Sequence, residues 1–283
     1  MITININPIA FNVGPFDVRW YGIMVVLAVV AVIALAVLEA RRVGLPVEHI
    51  YNVALWAIVG GILVSRLLHV IDKWDYYMAN PRQIIGFAGL TVYGAVLGAL
   101  IAVLIYCWAK KISFWQMGDI AAPGAILGQA IGRIGCLLNG CCYGLENPPA
   151  CAGGIVYTNP GYGLYGTPLG IPLYPTAFYH LIWNLIGFGI LWSLRRRLEP
   201  KGSLFLLYLA LYAAGDLSIR FVRVGEPFRS GLFFNLQEAQ LIGILVLLVT
   251  VPWLVIRMWR YRAKQSAAAS VKKVSRPRRS RGA

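Results

Sequence analysis

Charge is scarce in this chain, and acidic charge scarcest of all. Asp, Glu, Lys and Arg make up 13% of its 283 residues, with 11 acids against 26 bases. Soluble domains carry about 25% charged residues, so a chain that faces water over its whole length is excluded. So few carboxylates also weigh against a transporter built on an acidic relay, and the two halves lack the repeat that many transporters show. No cysteine pair has the Cys-x-x-Cys spacing of a zinc site, and none of the three histidines stands beside a cysteine. The opening MITININPIAFNVGPF has neither the basic n-region nor the apolar h-region of a cleavable signal peptide.

Apolar residues fill the gap. They make up 59% of the chain, which predicts an all-α, polytopic membrane protein. A spanning helix needs about 20 mainly apolar residues, and seven segments qualify: about 19–41, 50–71, 86–109, 114–134, 177–194, 203–221 and 237–257. The fourth is the least apolar, because it carries Asp119, Pro123 and Gln129. Basic clusters follow the first, third, fifth and seventh segments (Arg41 and Arg42; Lys110 and Lys111; Arg195 to Arg197; Arg257 to Lys264). By the positive-inside rule the N-terminus is then outside and the C-terminus cytoplasmic. Residues 1–258 are expected to form the membrane domain, with 135–176 as an extracytoplasmic loop region. Ten of the basic residues lie in 257–283, which has no acid. Residues 259–283 are expected to be a disordered tail lying on anionic lipid rather than on nucleic acid.

Where the fourth segment runs out, the chain reads GQAIGRIGCLLNGCCYG, with one arginine, five glycines and three cysteines. At an oxidising outer face, one or two disulfides among Cys136, Cys141, Cys142 and Cys151 are expected ahead of buried thiols, and both ahead of a catalytic or metal role. Ionisable residues inside spans mark function or internal pairing. They are Arg66, Asp119, Arg133, Asp216 and Arg220. Asp216 and Arg220 share a helix face at i, i+4 and can neutralise each other. Arg66 and Arg133 have no acid three or four residues away, so each needs a partner on another helix or a lipid phosphate.

GRIGCLLNGCCYG resembles the signature of the prolipoprotein diacylglyceryl transferases, seven-span inner-membrane enzymes. So do VGPFDVRWYGIM, GGILVSRLLHV, GLTVYGAVLGAL, YPTAFYH and FVRVGEPF, in the family's order, and Gln240 falls on a late glutamine. The resemblance implies transfer of the sn-1,2-diacylglyceryl group of phosphatidylglycerol to the lipobox cysteine thiol in the signal peptide of a preprolipoprotein. A thioether forms and glycerol phosphate leaves, with no cofactor and no metal. It implies catalytic roles for Tyr21, Tyr93, Arg133 and Arg220, and contact with phosphatidylglycerol by Arg133, Asn139, Gly140, Arg66 and Arg223. Chemically, the thiol must become thiolate, and arginine suits a phosphate ester that leaves with its charge. Several positions depart from the family pattern. Cys136 and Cys141 stand where Asn and Glu are common, and Tyr174 and His180 replace a usual His and Glu. Asp216 falls on an essential family arginine and Arg220 on the glutamate four residues later, an exchanged pair. A relative with another acceptor, or a lipid-binding protein without catalysis, is the alternative reading.

Overall fold

Within the first nineteen residues, ITININ alternates apolar and polar side chains, a period-two pattern that favours strands, although no strand was expected there. In a computed structural model, which describes residues 1–84, 91–224 and 236–274, these nineteen residues form β1 (Ile2–Ile4) and the hairpin β2 (Ile9–Val13) and β3 (Phe16–Arg19). The hairpin leads straight into α1 (Trp20–Val43), whose first backbone N–H donates to the carbonyl of Pro8 at 3.1 Å. Then come α2 (Glu48–Asp72), the short α3 (Trp74–Ala79), α4 (Val92–Ala109) and α5 (Phe114–Asn139). After α5 the chain makes β4 (Ile155–Tyr157) and β5 (Pro172–Leu173), then α6 (Thr176–Leu194), α7 (Ser203–Arg220) and α8 (Glu238–Val274).

Six of these helices, α1, α2, α5, α6, α7 and α8, are long and apolar enough to cross a membrane, and α4 contributes a shorter apolar helix. Its expected beginning at about residue 86 lies outside the described residues. The expectation of an all-helical chain is met in the main; the exception is a small sheet in the order β1-β4-β5, beside the β2-β3 hairpin. Its core is Tyr162, Leu173, Ile155 and Tyr157, with the two tyrosine rings edge to face at 4.8 Å.

The chain divides into two compact units. In residues 31–124, α2 and α4 cross at small residues. A Cβ added at Gly60 would meet Gly98 O at 2.9 Å, and one at Gly94 would meet Ser65 Cα at 2.5 Å. This is the small-xxx-small contact that lets membrane helices touch backbone to backbone. It is reinforced by Ser65 Oγ donating to Thr91 O at 2.7 Å and Thr91 Oγ1 donating to Ser65 O at 3.2 Å. The same unit buries Ala36, Val37 and Ala40 of α1 against Ile50, Cys107, Met117 and Ile120.

In the unit of residues 1–30 and 125–283, α6, α7 and α8 pack in sequence, and the C-terminal half of α5 packs among them. Ile126 fills the space over Gly187, and Gln129 donates to Tyr208 Oη at 3.0 Å. Half of α5's most apolar stretch is buried, against 11% in α1. That explains its low hydropathy: a helix lined by protein can carry Asp119, Gln129 and Arg133 where a lipid-facing one cannot.

Two boundaries differ from expectation. α5 runs on to Asn139 instead of stopping near 134, because Gly132 and Gly135 are helical. Gly135 lies under Tyr21 and Met24 of α1, where a Cβ would meet them at 3.2 and 3.0 Å. α8 continues to Val274, so residues 259–274 are helical where disorder was expected. Its Ala- and Lys-containing sequence has good helix propensity.

Candidate active site

α5 ends in a cap that builds the site. Gly140 adopts φ +69°, its N–H donates to Leu137 O at 3.3 Å, and the Cys141 N–H donates to Cys136 O at 3.2 Å. These are the 5→2 and 6→1 bonds of a Schellman motif, which a glycine after the last helical residue favours. A side chain at Gly140 would run into the Tyr162 ring, with Cβ at 2.6 Å from it. Thr167 Oγ1 holds the Gly140 carbonyl at 2.8 Å. Asn139, the last helical residue, is buried, and its Oδ1 has no hydrogen-bond partner among the described residues. Gly144 pairs with Arg223 across an antiparallel bridge, against Val222, Tyr174 and Thr176, leaving no room for a Cβ.

Around this cap the unit of residues 1–30 and 125–283 gathers several of the expected residues. Tyr21 lies within electrostatic reach of Arg133 and of Cys136, Cys141 and Cys142. Arg133 and Arg223 both face Cys142. Among the described residues neither guanidinium pairs with an acid or donates a hydrogen bond. Hydrogen bonds from Cys136 and Cys141, and then the two arginines, hold the Cys142 thiol below its ordinary value despite burial.

Arg220 behaves as its spacing predicted. Its Nε donates to Asp216 Oδ2 at 2.5 Å, and Nη1 reaches Gln237 Oε1 at 3.4 Å. The other oxygen, Asp216 Oδ1, stands 3.8 Å from His180 Nε2, and both atoms are buried without hydrogen-bond partners. His180 in turn faces Arg133, Arg223 and Arg220. Gln240 Oε1 accepts the backbone N–H of Gln237, and Gln237 Nε2 donates to Arg223 O at 3.2 Å, so the late glutamine orders the start of α8 beside the arginines.

Arg66 and Tyr93 belong to the other unit. Arg66 donates through Nε to Ile84 O at 3.0 Å and through Nη2 to Gln83 O, with its guanidinium over the Tyr77 ring at 5.1 Å. These contacts clamp the 81–84 turn, a use that no sequence spacing signals. Tyr93 is exposed on α4.

The expected disulfides are absent, since all five cysteines are free thiols. The cap, not a bond, brings Cys136 and Cys141 side by side. Cys151 lies in a separate short turn, Ala150–Ala152, and is exposed. His180 is a site neighbour that the expected set left out. Its signal was the loss of the usual glutamate at a position one span away from Asp216.

Six long apolar helices, with a cationic cluster at the end of a half-buried one whose Arg133 and Arg223 have no acid partner among the described residues, define a multi-pass membrane protein. The chain belongs to the prolipoprotein diacylglyceryl transferase family, whose model matches residues 8–256. It is 41% identical over 258 residues to the phosphatidylglycerol–prolipoprotein diacylglyceryl transferase of Dehalococcoides mccartyi, covering 91% of this chain and 96% of that protein. The proteins of the same name from Lysinibacillus sphaericus and Listeria welshimeri are 34% and 33% identical. These cover 87% and 89% of this chain, and 91% and 90% of theirs.

Proposed function

We propose that this protein transfers the diacylglyceryl group of phosphatidylglycerol to the lipobox cysteine thiol of preprolipoproteins. The observation that carries the reading is the pair of guanidiniums, Arg133 and Arg223, held at the capped end of α5 without an acid partner among the described residues. A half-buried cation is partly stripped of water and gains from a counter-charge, so this arrangement is suited to a ligand that brings its own negative charge. A phosphodiester does so, and arginine's planar fork matches it with two hydrogen bonds.

In the step itself the acceptor thiolate attacks the glyceryl carbon. A carbon–sulfur bond forms, the carbon–oxygen bond to phosphate breaks, and glycerol phosphate leaves with the electron pair. Arg133 and Arg223 hold the donor phosphate and support the charge that grows on the leaving oxygen. Arg220, already paired with Asp216, contributes its remaining donors and its field. The same positive field favours thiolate over thiol in the acceptor. Tyr21, beside Arg133, lines the acceptor's approach, and Asn139 Oδ1 and the Gly140 turn complete the donor side. Arg66, committed to two carbonyls, serves this reading as a brace and not as a phosphate ligand.

Purified protein in phosphatidylglycerol micelles with a lipobox peptide should yield the thioether-linked diacylglyceryl peptide, read by mass, and the gene should rescue a strain depleted of its own transferase. No adduct together with no rescue would overturn the reading. The orientation rests on the alternation of Lys and Arg and places the cationic cluster outside, in the plasma membrane. Alkaline phosphatase fused after residue 160 should be active, and fused after residue 270 inactive; the reverse pattern would overturn that placement.

A further inference from the structure

We propose that Cys136, Cys141 and Cys142 form a three-thiolate site for a soft d10 metal ion, monovalent copper in preference to zinc. The backbone makes the cluster. In a Schellman cap the side chains three residues before the helix end and two after it face each other, usually as an apolar contact. Here both positions are cysteine, Cys136 and Cys141. The third sulfur arrives because Cys142 takes φ +61°, a left-handed conformation that is strained for a non-glycine residue. Thr176 Oγ1 donates to the Cys142 carbonyl and pins that turn. Such strain is kept where the surroundings hold it, often at binding sites.

The result is three Sγ atoms within 4.8 Å of one another, at a site buried on the Cys136 side and half-buried at the other two. Metal–sulfur bonds of about 2.3 Å put three sulfurs around one ion about 4 Å apart. Each thiol therefore has to move inward by only about 0.5 Å from a 4.8 Å triangle, which a small side-chain rotation supplies. A disulfide needs the far shorter separation of about 2.05 Å and would strand the third thiol.

Charge and coordination number choose the ion. Thiolates favour monovalent copper and zinc over harder ions. No His, Asp or Glu joins the three sulfurs among the described residues, so the protein offers three ligands, which complete a trigonal monovalent ion but leave zinc needing a water as its fourth. In the lipid-free protein a monovalent ion, the three thiolates and the guanidiniums of Arg133 and Arg223 balance; a divalent ion would leave positive charge over in a half-buried site. The inference does not depend on the transfer reaction, and its test reads metal directly.

The test uses the full-length, reduced protein in detergent under anaerobic conditions, titrated with monovalent copper held in a competing chelator and separately with zinc. One copper per chain is expected, bound more tightly than zinc, with X-ray absorption showing three sulfurs at about 2.3 Å. Cys136→Ser, Cys141→Ser and Cys142→Ser should each weaken copper binding by at least about tenfold, because each removes one thiolate ligand. Cys107→Ser and Cys151→Ser should leave it unchanged. Substoichiometric copper, copper retained by the triple serine variant, tighter zinc than copper, or a disulfide among the three that survives in the protein before reduction would overturn the proposal. Binding by the three single variants at parental affinity would do the same even if one of them folded poorly.

Discussion

Arg133→Lys should transfer lipid roughly 30- to 150-fold more slowly than the parent at matched membrane levels. The lysine keeps the charge but gives up the second hydrogen bond of the fork. A hydrogen bond to a charged group is worth about 1.5–3 kcal/mol, and about 2–3 kcal/mol of that, made in the transition state, corresponds to this factor. Arg133→Ala removes the charge too and should fall further, about a thousandfold. Neither change should affect insertion, since the side chain makes no hydrogen bond or ion pair with another described residue. Thioether formation against time is the measurement. A lysine variant within twofold of the parent would remove Arg133 from the phosphate site.

The Asp216–Arg220 pair gives the second large effect, and its members should not fail alike. Arg220→Ala strands a buried carboxylate whose other oxygen already lacks a partner, and it withdraws one cation from the donor phosphate, so stability and transfer fall together. Asp216→Ala leaves Arg220 with Gln237 and the ligand phosphate, so its cost should lie below the roughly 3–5 kcal/mol typical of breaking a buried pair. The exchange Asp216→Arg with Arg220→Glu keeps the ion pair and points a guanidinium at the unpartnered Nε2 of His180. It should be more stable than either alanine variant and retain at least about a tenth of the parental transfer. Melting temperature and thioether yield of the three variants decide it. If Arg220→Ala transfers as well as the parent, the pair is structural only, and the phosphate site is Arg133 with Arg223.

The helices were legible because lipid imposes one requirement on every span: internal backbone hydrogen bonding under an apolar surface. The i, i+4 pairing of Asp216 with Arg220 was legible for the same reason of fixed helical geometry. Features set by tertiary contact were harder to read. Gly132 and Gly135 look like a helix stop, yet Gly135 is there because Tyr21 and Met24 pass close above it. Nothing in the spacing of Arg66 says that its partners are two carbonyls of a distant turn. The convergence of thiols could have been read: in Cys-Leu-Leu-Asn-Gly-Cys the glycine sits where a helix cap needs it, and the cap brings the flanking cysteines together. Disulfide was expected instead, because a sequence gives spacing and compartment but not the side-chain separation that decides bonding. The N-terminal strands were also written in the alternation of ITIN and AFNV, and a reading tuned to spans passed over them.

Helix α8 is tied at two heights. Near its start, Gln237 binds the carbonyl of Arg223 and the guanidinium of Arg220. Farther along, Arg257 donates to the carbonyl of Lys201 and Tyr261 donates to Glu199, in the turn between α6 and α7. Gln240 and Arg257 are seventeen residues apart, about 26 Å along a helix, close to the roughly 30 Å hydrocarbon thickness of a bilayer. The two ties bracket the apolar run of α8 and fix its register against α7 and the turn before it, because a slide along its axis would break both at once. The tie at the near end is the one that orients Arg220 and Arg223, so the register of α8 and the geometry of the cationic cluster are set together.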